Sequence, residues 1–342
     1  LNDYVKRDLY KTKLIIGQGK GYLEYKQEKL FGTATKRIDI DVIFNAFHGG
    51  FGETGYFQGL CELANIPYTG CGIEASAIFM DKSATKLMAK RVGIPVLDEV
   101  LIAKPQNHDF FDINDFTKDV KLPFPLMVKP NSLGSSVGIK KVNNKEELNS
   151  AVLQIFALGD NALVEPFVEN LEEYNISVTR VFGKVECSVI ERPSKKDSEI
   201  LGFKEKYMSG GKGGKCGKCG KAGSKLMSAS ERRGLLSLSR TFNPKELTDE
   251  ETKNIQKWAK AIFEYVGGCG NPRIDFLCNS KTREIYFGEA NPLPGSFAYY
   301  LWEASTPSRS YTELLTALIE EAENNFKKRV GIVLTESKIF RE

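Results

Sequence analysis

Arg273-Ile274-Asp275-Phe276, followed after a polar turn by Tyr286-Phe287-Gly288-Glu289-Ala290-Asn291-Pro292, is the stretch from which the architecture of this chain can be read. Each run alternates polar and apolar side chains with the two-residue period of a strand, and the turn from Cys278 to Glu284 makes them an antiparallel hairpin. Arg273 and Asp275 share one face, Ile274 and Phe276 the other; Glu289 and Asn291 share a face of the partner strand. Asp275, Glu289 and Asn291 then converge as hard oxygen donors, a set that suits Mg²⁺ held by one or two carboxylates and completed by phosphate oxygens. Arg273 stands beside them as a fixed cation for an anionic transition state. A hairpin that merely turns a polar face to solvent has the same pattern, so the rest of the chain has to decide.

The 342 residues are 41% hydrophobic and 27% charged, enough for two or three domains with real cores. The net charge of +4 is small, and part of it comes from the Lys/Gly run 212–225, so no nucleic-acid surface is read from it. Seven scattered cysteines, an odd number without framework spacing, fit reduced thiols in the cytoplasm. No apolar run is long enough to span a membrane, and there is no signal-peptide pattern. The chain begins at Leu1 and not at Met, as a fragment or internal domain would.

Short strands are expected at 13–16 and 22–25, and a near-continuous apolar run over 38–47 predicts a buried parallel strand. It leads into the glycine-dense loop His48-Gly49-Gly50-Phe51-Gly52-Glu53-Thr54-Gly55. A helix over 56–65, a short strand at 66–69 and one long helix from 73 to 92 follow, an α/β succession. Further strands are expected near 96–103, 125–129, 139–142 and 162–168, with a weak helix at 112–120 and a helix capped by Asn143 that runs to about Ala157. Residues 173–182 and 185–191 form a hairpin across Gly183. The Lys/Gly run Ser209 to Ser224 holds almost no apolar residue and is expected to be mobile. Its Cys216-Gly217-Lys218-Cys219 offers two of the four ligands a structural zinc needs, and no second pair lies at the right spacing. Thr248 and Glu251 make a capping box for an amphipathic helix, and a last helix spans about 311–328.

Lys86 on a helix, Lys129 at a strand end and the Gly134-Ser135-Ser136 loop are the other candidates for phosphate chemistry. None is a Walker A loop or a dinucleotide fingerprint, so a nucleotide would need another scaffold. Taken in order, HGGFGETG (48–55), MDKSATK (80–86), MVKPNSLGSSVGI (127–139), ALVEPFV (162–168), EEYNISV (172–178), KEKY (204–207), NPRIDF (271–276) and FGEANPLPG (287–295) resemble the D-alanine–D-alanine ligases of the ATP-grasp superfamily. The likeness spans about 38–319.

The resemblance implies an α/β ATP-grasp fold in four parts: an N-terminal substrate subdomain (1–94) that looks truncated, a central subdomain (95–200), a C-terminal subdomain (201–330) and a tail (331–342). It implies Lys86, Lys129, Ser136 and Lys206 on ATP, with Glu165 and Val168 at the adenine edge and Glu173 at the ribose. Two Mg²⁺ ions, or Mn²⁺ in their place, would sit on Asp275, Glu289 and Asn291. Arg273, Ser135, Tyr207, Gly295 and Glu53 fall at catalytic positions, and His48, Ser135 and Tyr300 at substrate positions. The implied reaction is ATP-dependent joining of two D-alanines through an acylphosphate for peptidoglycan, by a cytoplasmic homodimer. Three departures stand out: a short N-terminal segment without the family's first substrate loop, Tyr300 where a serine is expected, and the Lys/Gly insertion. They leave two alternatives, a ligase for another amino-acid or carboxylate pair and a non-catalytic module of a longer protein.

Overall fold

A computed structural model describes residues 11–17, 19–28, 30–106, 111–134, 138–193 and 240–339, with 330–339 as backbone only. The elements in chain order are β1 Thr12–Ile15, β2 Tyr22–Glu28, β3 Thr33–Asp39, α1 Tyr56–Leu63, α2 Ile73–Met80, α3 Lys82–Arg91, β4 Val100–Ile102, α4 Ile113–Thr117, β5 Leu126–Pro130, β6 Lys140–Val142, α5 Lys145–Ala157, β7 Ala162–Pro166, β8 Leu171–Thr179, β9 Glu186–Pro193, β10 Arg240–Phe242, α6 Asp249–Tyr265, β11 Arg273–Asn279, β12 Ile285–Asn291, α7 Tyr299–Glu303 and α8 Tyr311–Ile339. Three antiparallel sheets result: β1-β2-β3, β4-β7-β5-β6 and β10-β9-β8-β11-β12.

The β11–β12 hairpin forms as its alternation predicts. Ile274, Phe276 and Cys278 are fully buried, and the residues between them are not. Their face packs on α6 through Ile255, Ala259, Ile262 and Phe263, the apolar stripe of a helix whose start is fixed by the Thr248–Glu251 capping box. The four-stranded sheet is covered in the same way by Leu148, Val152 and Ile155 of α5. Each sheet therefore has one apolar face against a helix and one polar face left for chemistry. Among the described residues, no helix is long and apolar enough to cross a membrane.

Three local expectations need correcting. The run 38–47 is not one buried strand. β3 ends at Asp39 and pairs antiparallel with β2, Ile38 is half exposed, and only Ile43 keeps a parallel bridge, to Tyr68. The preceding hairpin offers a nearer ladder partner, and Asn45, bonded to the Gly52 carbonyl at 2.9 Å, turns the chain into the glycine loop. The helix expected over 73–92 breaks in two at Asp81, whose backbone is extended and whose carboxylate accepts the Ala84 N–H at 2.8 Å. An aspartate that satisfies an orphan helix N–H starts a new helix in preference to continuing the old one. The cap of α5 is Asn144 and not Asn143, with Glu147 returning its carboxylate to the Asn143 N–H.

The N-terminal segment meets the C-terminal sheet main chain to main chain. Gly270, at φ +68°, lies so near Gly70 that an added Cβ would come within 2.7 Å of its Cα. α8 closes over this contact. Glu321 accepts the Gly270 N–H at 2.7 Å with one carboxylate oxygen, and the other is buried without a partner. Burial pushes the Glu321 carboxyl up to about 7, against the opposing pull of the Gly270 N–H and Arg180. A carboxyl that keeps its proton longer in the fold than in the unfolded chain contributes stability below the ordinary carboxylate range, and that contribution is lost as pH rises through about 7. Glu321→Gln is therefore expected to flatten the fall in melting temperature between roughly pH 5 and pH 8. Thermal melts with the same slope for both proteins would contradict it.

Candidate active site

Strand register builds the site. Phe242 of β10 lies opposite Glu191 of β9, Glu191 opposite Asn175 of β8, Asn175 opposite Asp275 of β11, and Asp275 opposite Glu289 of β12. Residues directly opposite share a face, so one polar row crosses β9, β8, β11 and β12, with the Phe242 ring at its β10 end. Arg273 and Asn291, also opposite each other, stand one step away on the same face. The Arg273 guanidinium grips Asp275 bidentately, at 2.7 and 2.6 Å, and the Asn291 amide donates to Asp275 at 3.1 Å. Burial, reinforced by the charge of Glu289, pushes the Asp275 carboxyl up to about 6 even with Arg273 beside it. Burial works against the Arg273 charge, but the Asp275 carboxylate outweighs it and holds the guanidinium above its ordinary range. The three side chains therefore lie side by side on one face, with the Asn291 amide nitrogen turned to Asp275.

The four-stranded sheet and α3 supply cations. The break at Asp81 aims α3 so that Lys86 is buried against Glu165 of β7, to which it bonds, and lies 2.9 Å from Glu99. Lys129 of β5 reaches the other Glu165 oxygen at 2.6 Å. Burial opposes both charges, yet the pairing prevails: Glu165 is held below the usual carboxylate range and Lys129 above the usual lysine range. Lys82 joins the two sheets, with its ammonium on the Leu133 carbonyl at 2.8 Å and 3.6 Å from Glu289. The base of the Gly/Ser loop is pinned by Asp160, which accepts the Ser132 and Leu133 N–H groups at 2.7 and 3.1 Å. Val168 follows β7 and is half-buried; Glu173 is exposed on β8 and adds its charge at Asp275.

The glycine loop docks beside the hairpin's far end. His48 lies 3.7 Å from Glu53, and its Nδ1 is 3.2 Å from the Leu293 carbonyl. The Glu53 carboxylate beside it raises the imidazole above its ordinary range, against burial. Gly295 opens a turn in which Ser296, Phe297 and Ala298 all have positive φ, three successive left-handed non-glycine residues. Asn271 donates to the Phe297 carbonyl, and the Phe297 ring packs at 5.0 Å on Phe44. Tyr300 follows, its hydroxyl donating to Glu191 at 3.0 Å.

The structure brings together Lys86, Lys129, Glu165, Arg273, Asp275, Glu289, Asn291, His48, Glu53, Gly295 and Tyr300 on two facing sheets and their connecting loops. Ser135, Ser136, Lys206, Tyr207 and the Cys216–Cys219 pair lie outside the described residues. Sequence reasoning missed Lys82, Glu99, Asn175, Glu191 and Arg240. Lys82 stands in the MDKSATK motif and Asn175 in EEYNISV; Glu99 joins the site through Lys86, and Glu191 and Arg240 through strand pairing. Among the described residues, no group of three or more His, Cys, Asp or Glu side chains is placed to hold a metal ion; the platform is two carboxylates and an amide.

Two antiparallel sheets, with Lys129 on one, Lys82 and Lys86 on the helix beside it and Asp275 and Glu289 on the other, have the arrangement of an ATP-grasp fold, the fold of the solved structures this chain superposes on. Family models described as D-ala D-ala ligase C-terminus and D-ala D-ala ligase N-terminus match residues 88–217 with 236–320, and 8–71. A D-alanine–D-alanine ligase from Thermosipho africanus is 36% identical over 309 residues, 89% of this chain and 74% of the relative. Among solved structures, the D-alanine–D-alanine ligase from Coxiella burnetii superposes with a TM-score of 0.73 at 24% identity, covering 99% of this chain and 82% of that one. The ligase from Bacillus anthracis complexed with ATP gives 0.58 at 25% identity, covering 85% and 81%. This chain belongs to the D-alanine–D-alanine ligase family.

Removing one partner of a buried ion cluster strands the others. Glu165→Ala is expected to destabilise the fold by about 3–5 kcal/mol, because Lys86 and Lys129 lose their shared counter-charge. Denaturant titration checks this, and an unchanged midpoint would show that the cluster is not ionised.

Proposed function

We propose that this chain joins two D-alanine molecules into D-alanyl-D-alanine, as its relatives' names describe, and does so with release of ADP and phosphate. The observation that carries the reading is the closeness of the two charge sets. Lys82 lies 3.6 Å from Glu289, and the Glu289 charge raises Lys129, so a polyphosphate between the sheets meets ammonium groups on one side and the acidic platform on the other.

The platform fits a divalent cation: two carboxylates directly opposite on adjacent strands, one of them pushed up by burial and by the other's charge, with the Asn291 amide one step along the same face. Asp275, Glu289 and Asn291 would hold Mg²⁺, or Mn²⁺ in its place, as two ions that neutralise charge on the transferring phosphoryl group when bound. Lys86 and Lys129 turn to phosphate oxygens, which replace Glu165 as their partners. The His48–Glu53 pair receives the first D-alanine beside Leu293 and sets the carboxylate in line with the γ-phosphate. That carboxylate is a poor electrophile, and phosphorylation turns it into an acylphosphate with a good leaving group. The second amine then attacks the acyl carbon and phosphate departs, while Arg273 and the Gly295 turn stabilise the oxyanion of the tetrahedral intermediate. By the resemblance, Val168 borders the adenine, Glu173 the ribose, and Ser135, Ser136, Lys206 and Tyr207 complete the site. The product serves peptidoglycan synthesis, made in the cytoplasm by a homodimer.

Tyr300 favours one competing reading, a ligase with another acceptor, because its hydroxyl is spent on Glu191. ATP- and Mg²⁺-dependent phosphate release, measured with D-alanine and with a panel of other amino acids, separates the two. Release without any response to D-alanine would overturn the main reading. Arg273→Ala is expected to lower kcat by about a hundredfold, corresponding to roughly 3 kcal/mol of lost oxyanion stabilisation. A loss below about tenfold would leave Arg273 only its structural pairing with Asp275. Glu289→Gln should abolish Mg²⁺-dependent turnover with an unchanged melting temperature, and normal turnover would remove it from the platform.

A further inference from the structure

Tyr300 does not stand alone. Arg240 lies with its guanidinium carbon 4.0 Å over the Tyr300 ring, and its Nη1 donates to Glu191 Oε2 at 3.0 Å. Glu191 is buried, and its other oxygen accepts both the Tyr300 hydroxyl, at 3.0 Å, and the Asn175 amide, at 3.2 Å. The carboxylate therefore has both oxygens taken, and the tyrosine hydroxyl has spent its one donor on Glu191. The Arg240 Nε–H is buried with no hydrogen-bond partner. An orphaned guanidinium donor is costly to leave unmade, and the Nε–Nη2 edge is the fork that binds a carboxylate bidentately. Arg273 uses that same edge on Asp275.

The placement matters as much as the chemistry. Glu191 belongs to the polar row that ends at Asp275 and Glu289, two strand spacings from Asp275, or about 10 Å. An arginine side chain rising from β10 spans part of that gap. The ring of Tyr300, tilted against Phe242, backs the guanidinium from the other side. What remains is a cation whose Nε–H has no partner, held by Glu191 and stacked on the Tyr300 ring.

We propose that Arg240 receives the carboxylate of the acceptor amino acid, with Glu191 and Tyr300 as the positioning residues that hold its guanidinium in place. This rests on the ligase reading above and adds a residue to it. The acceptor is then an α-amino acid with a free carboxylate. Tyr300 acts through Arg240 and not as the acceptor's hydrogen-bond donor.

A competition between two acceptors tests this. With D-alanine as donor, the enzyme is offered D-alanine and D-alaninamide together, and the two dipeptide products are quantified by mass spectrometry. D-alaninamide has the attacking amine but no carboxylate. Wild type is expected to favour D-alanine strongly, and Arg240→Gln to reduce that preference by about tenfold or more, with the KM for ATP unchanged. Arg240→Lys, which keeps charge but not the fork, should fall between, and Tyr300→Phe should move the ratio only about threefold, since the ring still backs the guanidinium. The product ratio is internal, so a partly unfolded preparation does not distort it; if Arg240→Gln yields no product, the Arg240→Lys ratio decides. An unchanged ratio in active Arg240 variants overturns this inference while leaving the ligase reading intact. Wild-type protein that makes neither dipeptide overturns the ligase reading itself.

Discussion

A buried carboxylate gripped by two ammonium groups is the constraint on which this molecule turns. Glu165 bonds to Lys86 from one side and to Lys129, at 2.6 Å, from the other. No lysine is buried so deeply without a counter-charge, because removing an ion from water costs several kcal/mol. The pairing therefore dictates where α3 points, and α3 can point there only because Asp81 ends one helix and caps the next. The same lysines face the acidic platform of the neighbouring sheet. Charge balance, more than apolar burial, fixes how the two sheets are set against each other at the site.

Within each sheet the division of labour follows from the two-residue period. Ile274, Phe276 and Cys278 face α6, so Arg273 and Asp275 must face the other way. Because antiparallel partners share a face, one polar choice on β11 recruits its opposite numbers on β8, β9 and β12, and a chemical row emerges from strand pairing alone. Loops then bring His48, Glu53 and the left-handed turn after Gly295 to the end of that row, which is how residues 245 positions apart come into contact.

The hairpin is legible in the sequence because alternation is a local signal, and the capping box of α6 because Thr248 and Glu251 are three residues apart. The lysines and the platform were readable as residue types in motifs, and the register then supplied the convergence those types require. What is not legible is tertiary. The break at Asp81 lies inside an unbroken helical pattern, and only the competition between helix continuation and capping decides it. The run 38–47 has the composition of a buried strand, yet the nearest free ladder belonged to β2. Glu191 and Arg240 sit in ordinary strands far apart in the chain, and neither carries any motif; their meeting over Tyr300 depends on β10 adding to the edge of β9.

The contact between Gly70 and Gly270 bears on how such a chain diversifies. There Gly270 has no room for a Cβ, whereas a Cβ on Gly70 would meet nothing, and Cys71 and Cys269 each donate across the seam to a backbone carbonyl. A join closed on carbonyls makes its demand on residue identity unevenly. A side chain at position 270 would part the segment that carries His48 from the sheet that carries Asp275, while one at position 70 would meet only the strain of its positive φ.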